Sequence, residues 1–205
     1  KRRQPRIHLT LRLNCLENQL QEVAAFAELL RHADEEILDR ASDASSDFSS
    51  PSVCADAIAL IAQVPEDAKA RKRVEDLYRE IGTVRVMTRM GRYSQARERA
   101  QALITQAEQV NYSPASSRAL ALLGNIDANA ADFPSAERSF FSAAVEAIEG
   151  GDHRAAAGAY MELMRLVGRQ FQQYELADRY HRLALAEFTH LKGGRLRDQL
   201  ESNLL

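Results

Sequence analysis

The sequence predicts an all-α protein assembled from repeated pairs of antiparallel helices. Three observations support this class: few glycines and prolines, a helical pattern that recurs along the chain, and helix-capping residues between the recurrences. Of the 205 residues, 45% are apolar, and 27 basic residues nearly balance 29 acidic ones. A net charge of −2 does not predict a nucleic-acid partner, because such a partner requires a basic domain or stripe.

The recurring pattern is an aromatic residue followed three positions later by alanine. It occurs three times, 40 and then 41 residues apart, at Tyr93 and Ala96, Phe133 and Ala136, and Tyr174 and Ala177. The following helix continues the agreement in aligned sets, which are Ala100, Phe140 and His181; Leu103, Ala143 and Ala184; Ile104, Ala144 and Leu185; and Ala107, Ala147 and Phe188. Each second helix therefore carries one apolar stripe, which a single pair cannot bury alone. We expect the pairs to stack.

Turn and capping residues mark where the helices begin and end. Ser113-Pro114 is typical of an N-cap followed by a first helical turn, and Asp132 caps the helix that contains Pro134. Gly150-Gly151-Asp152 ends one helix and caps the next. The sequence thus predicts repeats at about 65–112, 113–151 and 152–193, with a partial fourth repeat at 194–205.

Residues 1–64 are predicted to form an amino-terminal helical region. A long amphipathic helix is followed by a second helix from Asp34 to about Ala44, a serine-rich loop at 45–51 and a short third helix at about 54–62. The apolar stripe of the long helix, with spacings of four and three, consists of Leu9, Leu13, Leu16, Leu20, Val23, Ala27 and Leu30. We expect this stripe to pack against the repeats. The alternative is that it joins two copies of the chain.

The second repeat resembles the tetratricopeptide signature. The resemblance is carried by Leu120-Ala121-Leu122-Leu123-Gly124, by Phe133 and Ala136, and by Phe140 and Ala143. It implies helix–turn–helix units stacked as a right-handed superhelix with a concave, peptide-binding groove. Two positions depart from the family pattern: Asp127 replaces the usual aromatic residue, and the tight-turn glycine is present only as Gly91.

A second resemblance covers nearly the whole chain. Leu11-Arg12-Leu13-Asn14-Cys15-Leu16, followed some forty residues later by Cys54-Ala55-Asp56, is similar to the repeat region of large bacterial serine/threonine kinases. The resemblance implies a regulatory part of a larger signalling protein. The chain has no glycine-rich phosphate loop and no His-Arg-Asp or Asp-Phe-Gly triplet, so we expect neither an enzyme nor a catalytic residue here.

The ends of the sequence suggest a segment of a longer protein, since there is no initiator methionine and no hydrophobic leader. No run approaches the ~20 apolar residues of a membrane span, and we expect no membrane insertion of this segment. The compartment stays open. It is extracytoplasmic if the segment follows a membrane span in the parent protein, and cytoplasmic otherwise.

Cys15 and Cys54 are the only cysteines. They lack histidines at ligand spacing, and no two histidines lie three or four residues apart, so we predict no metal site and no cofactor. Two alternatives remain: a disulfide between the first and third helices, or two reduced core thiols. A disulfide closing about forty residues would stabilise the fold by roughly 3–4 kcal/mol in the chain-entropy model.

The first helix of each pair carries the residues that we expect to line a groove. They are Arg85, Arg89, Asn125, Asn129, Arg165 and, in the partial fourth repeat, Asn203. Asparagine can pair with both main-chain groups of a peptide, and arginine binds carboxylates bidentately. The alternative is that these are ordinary exposed polar residues.

Together these patterns favour a protein-interaction or sensing domain that binds a protein or peptide partner. One rival is a self-association module that forms a homodimer through the long first helix. Another is a small-molecule or enzymatic site inside the superhelix, which would need convergent titratable groups in a closed pocket.

Overall fold

The computed structural model describes residues 6–46, 48, 50, 51, 54 and 67–190, and these residues form eight α-helices and no β-strand. The predicted all-α class is confirmed. In chain order the helices are α1 (Arg6–Arg31), α2 (Glu35–Ser46), α3 (Ala68–Arg89), α4 (Tyr93–Val110), α5 (Ser113–Asn129), α6 (Phe133–Glu149), α7 (His153–Arg169) and α8 (Tyr174–Thr189).

The last six helices form three successive helix–turn–helix pairs, which gives the chain a repeat-like architecture. A residue in the left-handed backbone region lies in the turn inside each pair, with φ of 79° at Gly91, 61° at Ala131 and 55° at Gln172. Left-handed residues also precede the second and third pairs, at Asn111 (φ 53°) and Gly151 (φ 67°). The left-handed backbone conformation therefore recurs in all three turns, although glycine occupies this position only in the first.

Two aspartates each close one helix and open the next. The Asp132 N–H donates to the Asp127 carbonyl at 2.8 Å, and its carboxylate accepts from the Ser135 N–H at 3.3 Å. Asp152 repeats both contacts, so the two predicted caps are confirmed. Ser113 is the first helical residue rather than the cap, which is Tyr112. The helix thus begins one residue earlier than predicted, with Pro114 at its second position. Proline is tolerated there because the N–H groups of the first turn have no hydrogen-bond partner within the helix.

The chain divides into two compact units, and unit 1 spans Lys1–Val110. Within it, α3 contacts α1, α2 and α4. Its core contains Ile37, Ala44, Val86 and Met90, packed by Ala25, Phe26, Leu29, Leu30, Ala33 and Phe48. The first repeat pair thus shares a unit with the amino-terminal helices. The predicted boundary at 64 and 65, and residues 55–62 of the predicted short helix, lie outside the described residues.

Unit 2 spans Asn111–Leu205, and its described part holds α5 to α8. Successive helices pack on each other, and α5 also contacts α7, so the first helices of these two pairs are neighbours. The largest side chains in the core are Phe140, Tyr160, Met161, Leu163, Leu166 and Phe188. The predicted partial fourth repeat at 194–205 lies outside the described residues.

Candidate partner-binding surfaces

The predicted groove residues of the first repeat lie against α1. Arg85 of α3 donates a hydrogen bond from Nη1 to Oε1 of Glu22, and Arg89 Nη1 lies 4.0 Å from Oε2 of the same carboxylate. Glu22 is only 8% exposed. A buried carboxylate needs charged or hydrogen-bonding partners. These two arginines therefore hold the Glu22 side chain of α1 against α3.

A glycine makes room for that carboxylate. A Cβ atom at Gly82, three residues before Arg85, would lie 2.8 Å from Cγ of Glu22. The guanidinium of Arg89 also lies over the ring of Phe48, 5.6 Å from its centre. We name Gly82, Arg85 and Arg89 the α3 notch. The sequence prediction included the two arginines and missed Gly82 and Glu22, although a glycine inside a helix costs about 1 kcal/mol and is itself a signal of close packing.

In unit 2, the predicted groove residues lie on α5 and α7. Asn125 and Asn129 are exposed on α5. The Asn125 amide donates to the Ala121 carbonyl at 2.9 Å, and the Asn129 amide donates to the Asn125 carbonyl at 2.7 Å. Each bond uses one N–H of the amide, so the second N–H and the carbonyl oxygen can serve a ligand.

Arg165 lies on the neighbouring helix α7. Its Nη1 donates to Oε1 of Glu162 at 2.6 Å, one helical turn earlier. The side chains of this pair are 37% and 38% exposed, so the pair is weak and can exchange partners. Asn203, the predicted counterpart in the fourth repeat, lies outside the described residues.

Four residues of the apolar stripe predicted on α1 are exposed. They are Leu13, Leu16, Leu20 and Val23, which are between 41% and 64% exposed. The residues that pack are Glu22, Ala25, Phe26 and Leu29, together with Leu30 from the end of the stripe. The expectation that the whole stripe packs inward was wrong. Helix α1 has two apolar faces, and the face that includes a glutamate is buried because Arg85 neutralises that glutamate.

A second exposed apolar stripe runs along α6 and was not predicted. It consists of Phe141, Val145 and Ile148, which are 50%, 38% and 43% exposed and follow each other at helical spacing. The aligned positions of α4 are Gln101, Thr105 and Glu108, which are polar. The stripe is therefore not required by the repeat itself. Comparing the outer positions between repeats would have revealed it in the sequence.

The two cysteines form a disulfide in the structure, with their Cα atoms 5.6 Å apart. Cys15 lies on α1, and Cys54 is 2% exposed. The bond connects α1 covalently to the segment that follows α2. It therefore restrains the same helix that carries Glu22.

A cluster of titratable side chains joins the start of α7 to the end of α8. His153 Nδ1 and Glu187 Oε2 are 2.7 Å apart, and the rings of His153 and His190 stack at 4.5 Å. Burial, reinforced by the negative charge of Glu187, raises the pKa of Tyr160 above its ordinary value. Among the described residues, no group of three or more His, Cys, Asp or Glu side chains is arranged to hold a metal ion. The contact between His153 and Glu187 connects the two helices.

No family model, curated protein or solved structure matches the chain. The resemblances given above depend on the quoted residues alone. In the described part of the chain, no helix is both long and apolar enough to cross a membrane.

Proposed function

We propose that this chain is a protein-interaction domain of the tetratricopeptide type, and the regulatory part of a larger bacterial signalling protein such as a serine/threonine kinase. The observation that carries the proposal is the exposure of polar side chains on α5 and α7, two helices that contact each other. These neighbouring helices present exposed or half-exposed Asn125, Asn129 and Arg165. A right-handed superhelix of the pairs belongs to the same proposal. The recurring left-handed turns and the buried alanines at Ala96 and Ala136 support the closely packed helix pairs from which such a superhelix would be built.

The chemistry of this face suits a peptide. The two asparagines lie one turn apart, and each can pair with a main-chain N–H and C=O. Arg165 can exchange Glu162 for a carboxylate of the partner, at little cost because both groups are partly solvated. The exposed stripe of α6 adds apolar area of the kind found at protein contacts.

Selection of binding peptides from a random display library, followed by affinity measurement on the full chain, tests this function. We expect the double change Asn125→Ala and Asn129→Ala to lower the affinity for the selected peptides about ten-fold or more, since two polar contacts are lost. Ser142→Ala on exposed α6 is the matched control and should leave affinity unchanged. Equal binding by the double variant, or no selected peptide at all, would contradict the proposal.

Self-association is a second candidate function, favoured by the exposed stripe of α1. Leu13, Leu16, Leu20 and Val23 follow the 3-4-3 spacing of a coiled-coil seam. Sedimentation at increasing concentration should show a dimer that Leu16→Glu with Leu20→Glu abolishes. Leu38→Glu changes an equally exposed leucine of α2 and should have no effect. A wild-type chain that stays monomeric at all concentrations excludes this function.

A further inference from the structure

We propose that the α3 notch is a binding site for a glutamate presented by a helix, that α1 is its intramolecular occupant, and that a partner helix of the same chemistry replaces α1. This inference rests on the proposed interaction function and adds the class of partner. It explains why a charged residue of α1, rather than its leucine stripe, is turned toward α3.

The notch has the parts that a carboxylate receptor needs. Arg85 and Arg89 supply two guanidinium groups, one hydrogen-bonded to Glu22 and one 4.0 Å away. Gly82 removes the Cβ atom that would collide with the incoming side chain. The side chain of Glu22 is only 10% exposed, and those of Arg85 and Arg89 are 41% and 19% exposed, so water screens the contact with Arg85 in part and that with Arg89 less.

The repeat register indicates that α1 lies where a ligand would lie. Arg85 and Arg89 align with Asn125 and Asn129 of the second repeat, 40 residues later. Those asparagines are exposed, whereas the side chains of Arg85 and Arg89 are 41% and 19% exposed and both approach Glu22 of α1. A face that is open in one repeat is thus partly covered in another, and a helix of the same chain contributes to the cover.

The packed side of α1 defines the partner's pattern. After Glu22, the residues of α1 that contact the unit 1 core are Ala25, Phe26, Leu29 and Leu30, which are three, four, seven and eight positions later. A competing helix therefore carries a glutamate followed by apolar residues at these spacings, the recognition mode of a helix bound in a groove. The Cys15–Cys54 disulfide keeps α1 near the notch and raises its effective concentration there. Its reduction favours exchange.

A fluorescent peptide with the sequence of residues 16–31, which contains Glu22 and excludes Cys15, is the probe. The same peptide with Glu22→Gln is its matched control. The receptor is the full chain with Glu22→Gln in its own α1 and the disulfide reduced. We expect the glutamate peptide to bind about ten-fold or more tightly than the glutamine peptide, a preference that Arg85→Gln in the receptor removes. Oxidised wild-type chain should bind neither.

Hydrogen exchange of the α1 amides accompanies the binding measurement. Weaker protection of α1 in the Glu22→Gln chain is the expected result. Unchanged protection would overturn the proposal, because Glu22 would then not hold α1. The proposal would also be overturned if α1 loses protection but the chain binds neither peptide, or binds the glutamate and glutamine peptides equally. Because Asn125 and Asn129 are intact in all these chains, their display experiment reports separately on the proposed function.

A second variant covers the case in which Glu22→Gln prevents folding. Gly82→Ala keeps every charge and places a methyl group only 2.8 Å from Cγ of Glu22, closer than two non-bonded carbon atoms can approach. It should deprotect α1 and leave the notch unable to distinguish the two peptides. Gly158→Ala, where an added Cβ meets nothing within 4 Å, is the control and should leave α1 protected. A Gly82→Ala chain with fully protected α1 contradicts the notch.

Discussion

At the scale of single residues, the turns inside the pairs are determined by backbone geometry more than by residue type. Gly91, Ala131 and Gln172 all have positive φ, although only glycine adopts this region without steric cost. At the first two turns the next N–H returns to a carbonyl five residues earlier, as Asp132 does to Asp127. These hydrogen bonds and the packing of the pair hold alanine and glutamine in the unfavourable region.

The alanine in such a turn gives a direct test. Ala131→Gly should raise the free energy of unfolding by roughly 0.5–1 kcal/mol, because the relief of left-handed strain exceeds the added entropy of the unfolded chain. Ala130, its neighbour, has φ −84° and serves as control. Ala130→Gly should destabilise. Urea denaturation of both variants measures the difference, and a destabilising Ala131→Gly would contradict the argument.

Asp34 provides a residue-scale pH dependence. The Ile37 N–H, and then the Arg92 guanidinium, stabilise its carboxylate and hold its pKa below the ordinary value of 3.8. A lowered pKa means that this stabilisation is fully present above pH 3.8 and is lost as the pH falls through the lower, folded pKa. Asp34→Asn keeps a capping oxygen but no charge.

Urea midpoints of wild type and Asp34→Asn, measured from pH 6 downward, test this dependence. The wild-type advantage should persist to about pH 4 and shrink below it, as the carboxylate becomes protonated. An advantage that stays constant down to pH 2 would show that Asp34 does not titrate differently in the folded chain.

At the scale of helices, a glycine allows a side chain of the neighbouring helix to lie close to the backbone. Gly124 of α5 faces the ring of Phe140 on α6, and an added Cβ would lie 2.7 Å from that ring. Phe140 is fully buried in the unit 2 core, so the ring has little room to move. Gly158 lies inside α7, and apart from the backbone of its own helix and its chain neighbours no heavy atom lies within 4 Å of the position of its missing Cβ.

These two glycines should respond to alanine with opposite signs. Gly124→Ala should destabilise by about 1–3 kcal/mol, because overpacking outweighs the gain in helix propensity. Gly158→Ala should stabilise by about 1 kcal/mol, because only the propensity changes. Thermal or urea unfolding of the two variants measures both. Stabilisation by Gly124→Ala would mean that Phe140 moves aside freely.

At the scale of the whole molecule, the disulfide belongs to one compact unit only. Cys15 and Cys54 both lie within Lys1–Val110, while Asn111–Leu205 contains no cysteine. Loop closure stabilises by restricting the unfolded chain, and only the part that contains the loop gains from it.

Reduction of the Cys15–Cys54 disulfide should therefore destabilise Lys1–Val110 more than Asn111–Leu205. The amides of α1 should lose protection against hydrogen exchange by up to roughly 4 kcal/mol, whereas those of α6 and α7 should keep most of theirs. The double variant Cys15→Ser and Cys54→Ser should behave like the reduced chain in the presence and absence of reductant. Equal loss of protection in α1 and α7 would show that the two units unfold together.

Much of the fold could be predicted because its information is local. Helical periodicity, the capping aspartates Asp132 and Asp152, and the 40-residue recurrence are all visible within short segments. The candidate surfaces were predicted less completely. Arg85 and Arg89 were named as groove residues, but their partner Glu22 lies 63 residues from Arg85 and leaves no sequence mark of the contact.

By itself, the sequence determined the helices of the repeats, the caps Asp132 and Asp152 and the pairing of these helices, since each depends on interactions between residues near each other in the chain. Only the tertiary structure decided which face of α1 is buried. The leucine stripe satisfies the periodicity rule better, yet a face with a glutamate is buried because Gly82 admits its side chain and Arg85 neutralises its charge. The free energy of burying a charge depends on what lies opposite it, and that is settled only when distant segments meet.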